Sequence, residues 1–278
     1  MPYYKRRIEK IAVMKEKIDL IIFGGQSNMQ GQSERLSNCN VVENAYEYRF
    51  LGDELIPLCN PVGENIKVDR TPGIAHQKGG DGQKWLREHV TGGSASGNTN
   101  MVPEFCKAYN GVTGTKVVAV HAAKGSTQID YWLPGTFGYQ FVVDKAKAAI
   151  EKATSVYEVG RIFFVWLQGE SDALARVMKE EYMEKLVCLN QGLKESLGIE
   201  TFGIIRVGRF TKDERDQEII DAQDEICEKD GDFTMLTDMA AQMSEEAQYM
   251  NPYVPGHFSA EGLELLGKTA GEALGRKK

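Results

Sequence analysis

Short apolar runs alternate with longer amphipathic stretches along the chain. The first run, "LIIFGG", ends in Gly24-Gly25. "KVVAVHAA" from Lys116, "RIFFVWLQG" from Arg161 and "TFGIIRVG" from Thr201 have the same character, and "FTMLTD" from Phe233 is a weaker fifth. Runs this short and this continuously apolar predict strands buried on both faces of a parallel sheet. Helical patterns separate them. "PEFCKAYNGV" opens on Pro103, a residue favoured in the first helical turn. "FVVDKAKAAIEKATSVY", "ALARVMKEEYMEKLVCLNQGLKESLG" and "DERDQEIIDAQDEICEKDG" follow the next three runs. "SAEGLELLGKTAGEALGRKK" closes the chain, with Ser259 as its N-cap. This alternation predicts an α/β fold, a three-layer α/β/α sandwich around a central five-stranded parallel sheet.

Two segments stand outside the alternation. Tyr4 to Lys17 reads as a short amphipathic helix. Ser33 to Asn100 is rich in Gly, Asn, Pro and charge, and predicts a long irregular insert. Loops of that length in compact domains are usually functional or disordered. No internal repeat and no linker divides the chain, so a single domain over residues 1–278 is expected.

Composition narrows the function classes. With 278 residues, 42% of them hydrophobic, the chain can bury a large core. A net charge of -7 gives no basic footprint for nucleic acid. No apolar run approaches the roughly 20 residues that cross a bilayer, and charges interrupt the N-terminal apolar stretch as they would not in a signal peptide. No membrane partner and a cytoplasmic location are therefore expected. The five cysteines, Cys39, Cys59, Cys106, Cys188 and Cys227, are odd in number and lack C-x-x-C spacing, which predicts reduced thiols. His76, His89 and His121 lack metal-ligand spacing, and neither metal nor cofactor is expected.

Candidate chemistry follows from the sheet. Ligands of open parallel sheets bind at the carboxyl ends of the strands. Gly25-Gln26-Ser27-Asn28 follows the first strand, and His121 to Thr127 closes the second. Gln168-Gly169-Glu170-Ser171-Asp172 follows the third, and "PGHFSAEG" with His257 comes after the fifth. Ser27 alone reads as a helix N-cap. Ser27 with His257 supplies a nucleophile and the base that activates it. The elbow G-x-S-x-G is absent, because Met29 stands at its second glycine.

Together, "GGQSNM", "AKGSTQIDYW", "WLQGESDA" and "HFSAEG" resemble the blocks of the SGNH-hydrolase superfamily, in the branch of sialate O-acetylesterases and family 6 carbohydrate esterases (acetylxylan esterases). The resemblance runs from about Asp19 to the end of the chain. It implies a flavodoxin-like fold and a metal-free serine esterase that removes O-acetyl groups from carbohydrates such as acetylated xylan, oligosaccharide or sialic acid. It makes Ser27 the nucleophile and an oxyanion-hole NH donor, Gln168 a second donor, and His257 the general base.

Two departures from the family pattern shift the remaining roles. Relatives usually carry aspartate three residues before the histidine, where this chain has Val254. Glu170 is the candidate for the orienting acid, with Asp172, Asp238 or a backbone carbonyl as alternatives. Relatives often have glycine just before P-E, where this chain has Val102, so the Val102 NH, or Gly97 nearby, is the candidate for the second oxyanion donor. Gln26, Asn28 and Trp132 are candidate substrate contacts. A catalytically impaired carbohydrate-binding protein, or an SGNH lipase or thioesterase, is the alternative reading.

Overall fold

The computed structural model describes residues 15–37, 39–63 and 99–277. The expected helix over Tyr4–Lys17 lies mostly outside them, as do His76, His89 and Gly97.

The centre of the fold is β1 (Lys17–Gly25). It pairs in parallel with β4 (Lys116–Ala123) on one side and β5 (Glu158–Leu167) on the other. The pleat alternates their side chains between two faces. Leu20 and Ile22 pack with Val118, Val120, Phe164 and Trp166, whereas Ile21 and Phe23 pack with Val117, Ala119 and Val165. Both faces are covered, which is why these strands read as continuous apolar runs. The parallel strands continue through β6 (Thr201–Ile205) and β7 (Phe233–Thr237).

The sheet has seven strands among the described residues, ordered β3-β2-β4-β1-β5-β6-β7, and not the five expected. The two extra strands, β2 (Ala45–Arg49) and β3 (Glu54–Pro57), form an antiparallel hairpin inside the segment expected to be irregular. Charge hid them. Glu47 in "AYEYR" is fully buried, accepts the Gly63 N–H at 2.7 Å and pairs with Arg49 at 3.1 Å. A buried charge met by local partners does not look like a core strand in sequence.

Helices cover both faces. On the face of Leu20 lie α3 (Phe137–Val156), α5 (Lys179–Leu197) and α6 (Glu214–Lys229). On the other lie α2 (Val102–Thr113) and α8 (Ala260–Arg276). Their ends follow the sequence signals. Ser259 caps α8 by accepting the Gly262 N–H at 3.1 Å, and Gly198, in the left-handed conformation, closes α5. Short helical turns α1 (Ser27–Gln30), α4 (Glu170–Leu174) and α7 (Ala240–Met243) lie between them.

Register decides where the polar ends meet. Gly25 of β1 pairs with both Ala123 of β4 and Leu167 of β5, so the three strands end level. The segments beginning at Gln26, Lys124 and Gln168 therefore leave the sheet side by side. Gly25 sits at φ +139, and a Cβ there would run into the Leu167 carbonyl. Only glycine lets the chain turn out of the sheet this close to β5.

Candidate active site

Ser27 is the first residue of α1, and Gln26 holds the N-cap place without a side-chain cap bond. The helix-cap reading of Ser27 therefore falls away. Its hydroxyl makes no hydrogen bond among the described residues, and its own N–H, at a helix start, has no partner there either. The other end of this single turn is held firmly. Asn100 Nδ2 donates to Met29 O and Gln30 O, each at 2.9 Å, and His121 Nε2 stands 3.1 Å from Met29 O. Burial pushes His121 down to about 4, so it is neutral at physiological pH and donates from Nε2.

Asn28, next to Ser27, reaches both sides of His257. Its Nδ2 donates to Gly256 O at 3.3 Å, and its Oδ1 accepts the Phe258 N–H at 3.2 Å. The same Nδ2 donates to Glu170 Oε1 at 2.7 Å. Glu170 is buried, and its Oε2 has no hydrogen-bond partner among the described residues. Burial raises it to about 7, against the opposing effect of the Asn28 hydrogen bond.

His257 sits on a closed loop. Its N–H donates to Val254 O at 3.3 Å, and its carbonyl accepts the Asn251 N–H at 2.8 Å. Its Nδ1 lies 3.0 Å from Pro255 O. A carbonyl can only accept, so Nδ1 carries the proton and Nε2 is left with the lone pair a base needs. Phe210 meets the imidazole edge-on at 6.2 Å between centroids. Gly256, at φ +75, lies so close to the Phe210 ring that a Cβ would collide with it.

Several expected roles are redrawn by these contacts. Glu170 is not hydrogen-bonded to His257; its partner is Asn28, and a backbone carbonyl faces the imidazole instead. Asp238 lies with Arg206, not His257. Gln168 is fully buried, and its amide is spent: Nε2 donates to Thr127 O (2.8 Å), Gln26 Oε1 (3.2 Å) and the Asp172 carboxylate, while Oε1 accepts from Tyr182 (2.9 Å). An oxyanion donor needs an N–H aimed into the site, so Gln168 would have to exchange one of these partners to serve as one. The Val102 N–H is likewise taken, by Asn100 Oδ1 at 2.8 Å. Gln26 and Asn28 are buried and engaged within the protein. Trp132 is core: it is 1% exposed, bonded to Thr127 Oγ1 at 3.1 Å and edge-to-face with Trp166 at 5.7 Å.

One residue gains importance. A Cβ on Gly125 would stand 3.5 Å from Ser27 Cβ, so this glycine flanks Ser27. Its N–H donates to Gln30 Oε1 at 3.1 Å. In sequence Gly125 was one member of a polar run. β4 ends level with β1 at the Ala123–Gly25 pair, and this brings the turn that follows it beside Ser27.

Comparisons with known proteins agree with this architecture. The sequence profile described as carbohydrate esterase, sialic acid-specific acetylesterase matches residues 86–275. A protein from Arabidopsis thaliana superposes with a TM-score of 0.63 at 16% identity, over 92% of this chain and 96% of that one. NanS gives 0.60 at 11% identity, over 94% and 98%. A carbohydrate acetylesterase from Xanthomonas citri gives 0.51 at 14% identity, over 90% of this chain and 54% of that one. At such identities these structures establish the fold alone. A Saccharomyces cerevisiae protein, vacuolar amino acid transporter 6, is 31% identical over 67 residues, and the chain spans only 15% of its length. No helix among the described residues is long and apolar enough to cross a membrane.

Proposed function

Because the chain belongs to the carbohydrate esterase, sialic acid-specific acetylesterase family, with the SGNH-hydrolase fold, we propose that it cleaves sugar O-acetyl esters through an acetyl-Ser27 intermediate. One observation carries the mechanism. The residue after Ser27 is hydrogen-bonded to the residues on both sides of His257, which ties nucleophile and base into one unit.

In this reading His257 Nε2 takes the Ser27 proton as Oγ attacks the acetyl carbonyl. The Ser27 N–H and the Gly125 N–H bind the oxyanion, Gln30 Oε1 giving up Gly125 as the charge develops. Collapse breaks the ester C–O bond, and His257 returns the proton to the leaving sugar oxygen. Water then attacks the acetyl-enzyme with His257 again as base, releasing acetate and restoring Ser27. Pro255 O holds the Nδ1 proton throughout. It fixes the tautomer as a carboxylate would, with a dipole in place of a full charge.

The test is acetate release from p-nitrophenyl acetate, an acetylated xylo-oligosaccharide and an O-acetylated sialic acid, which also ranks neutral against acidic sugars. Ser27→Ala should abolish turnover of all three. Wild-type rates in that variant would refute the reading. A second reading, a sugar-binding protein without catalysis, draws on Val254, which puts no carboxylate on the imidazole. Sugar binding without hydrolysis, and no labelling of Ser27 by a fluorophosphonate, would favour it.

A further inference from the structure

The loop that carries His257 also carries an aromatic side chain with no role in the core. Tyr253 is 79% exposed, and no other large hydrophobic side chain among the described residues stands out as far. A single exposed apolar side chain needs no explanation by itself. The backbone beneath this one does, because it is immobilised. Met250 and Phe258 form an antiparallel bridge, and the Asn251 N–H to His257 O bond of 2.8 Å closes the loop. Asn251 Oδ1 accepts the Tyr253 N–H at 2.9 Å and the Val254 N–H at 3.2 Å. Asn251 Nδ2 donates to Gln32 O at 2.7 Å, beside the nucleophile turn. Pro252 and Pro255 fix two further φ angles.

The loop is thus anchored on both flanks to the segment that presents Ser27, at Gln32 by Asn251 and at Asn28 by Gly256. The backbone of Tyr253 is thereby held relative to Ser27 and His257. The reaction supplies a direction. His257 must hand its proton to the leaving oxygen, so the sugar alcohol leaves on the imidazole side of Ser27 and the oxyanion on the Gly125 side. The sugar ring then faces the loop of His257. A tyrosine suits that place: its ring is a flat apolar face for the C–H side of a pyranose, it loses little rotamer freedom, and its hydroxyl meets sugar hydroxyls or water.

We propose that Tyr253 is a stacking platform for the sugar ring of the leaving group, forming a subsite on the base side of the active site. This rests on the sugar-ester reading above. A platform of this kind holds substrate and transition state alike, so its loss raises KM and leaves kcat nearly unchanged.

The experiment compares the wild-type chain with Tyr253→Ala and Tyr253→Phe on an acetylated oligosaccharide and on ethyl acetate, which has no ring. Tyr253→Ala should raise KM for the sugar ester by about tenfold, while Tyr253→Phe keeps it near wild type. Ethyl acetate turnover should be the same in all three. An unchanged sugar KM in Tyr253→Ala would overturn the platform, as would an equal loss on ethyl acetate, which would mean a merely structural role. A wild-type chain that turns over ethyl acetate but no sugar ester overturns the sugar-ester reading itself, and the platform with it. The wild-type rate alone tells these failures apart.

Discussion

Asn28 Nδ2 donates to Glu170 Oε1 at 2.7 Å, and this pair links the nucleophile turn, the end of β5 and the His257 loop. One buried carboxyl group is thereby connected to the His257 loop through an amide. Glu170 holds Asn28, and Asn28 holds the backbone at Gly256 and Phe258. In the proposed reaction Glu170 is a positioning residue, whereas Pro255 O lies beside the imidazole.

Replacing Asn28 by Ala should release the His257 loop. Two hydrogen bonds to that loop are lost, each worth about 1 kcal/mol, so kcat should fall roughly 10- to 100-fold. KM for p-nitrophenyl acetate should stay near wild type, because Asn28 is buried and its amide is engaged within the protein. Steady-state kinetics decide it: an unchanged kcat means the loop holds His257 without Asn28.

Stability should depend on pH through Glu170. An unfolded glutamate titrates near ~4.3, whereas Glu170 in the fold keeps its proton up to about 7. Between those values the folded state binds the extra proton, so stability is greatest below the window and falls as pH rises through it. The full fall is on the order of 4 kcal/mol. Glu170→Gln cannot ionise and should flatten the curve. Asp172, raised by burial to about 6, leaves a residual slope. Tm measured from pH 5 to 8 in both proteins checks this; parallel curves would assign the slope elsewhere.

Gln30 and Gly125 should respond in opposite directions. Gln30→Ala removes the acceptor that occupies the Gly125 N–H, so kcat should hold or rise. Gly125→Ala sets a methyl 3.5 Å from Ser27 Cβ and 2.9 Å from Gln30 Oε1, and should cut kcat/KM about tenfold or more. Equal losses in both variants would remove Gly125 from the oxyanion site.

Trp132→Phe should leave sugar-ester kinetics alone while costing stability. The variant loses the indole bond to Thr127 Oγ1 and some buried area, about 1–2 kcal/mol in all. Denaturant melts and sugar KM read the two effects separately. A raised KM with unchanged stability would return Trp132 to the substrate.

The sequence by itself determined the order of the main strands and helices, because strands buried on two faces leave continuous apolar runs and helix ends leave caps such as Ser259. It also separated Ser27 and His257 from the background, since a serine at a strand end and a distant histidine matter only as a pair. It did not reveal β2, where buried Glu47 is neutralised by partners far too specific for a hydropathy pattern to show. Nor did it tell which polar groups near Ser27 remain unspent. Gln168 and Val102 have suitable chemistry, but hydrogen-bond capacity is finite, and tertiary neighbours engage it: Thr127 and Asp172 for Gln168, Asn100 for Val102; Glu170 lies against Asn28 and not against His257. Gly125, with no side chain to attract notice, reached Ser27 because parallel register ends β1 and β4 at one level. Residue types fix what a group can donate or accept, whereas only the folded chain fixes which partner takes it.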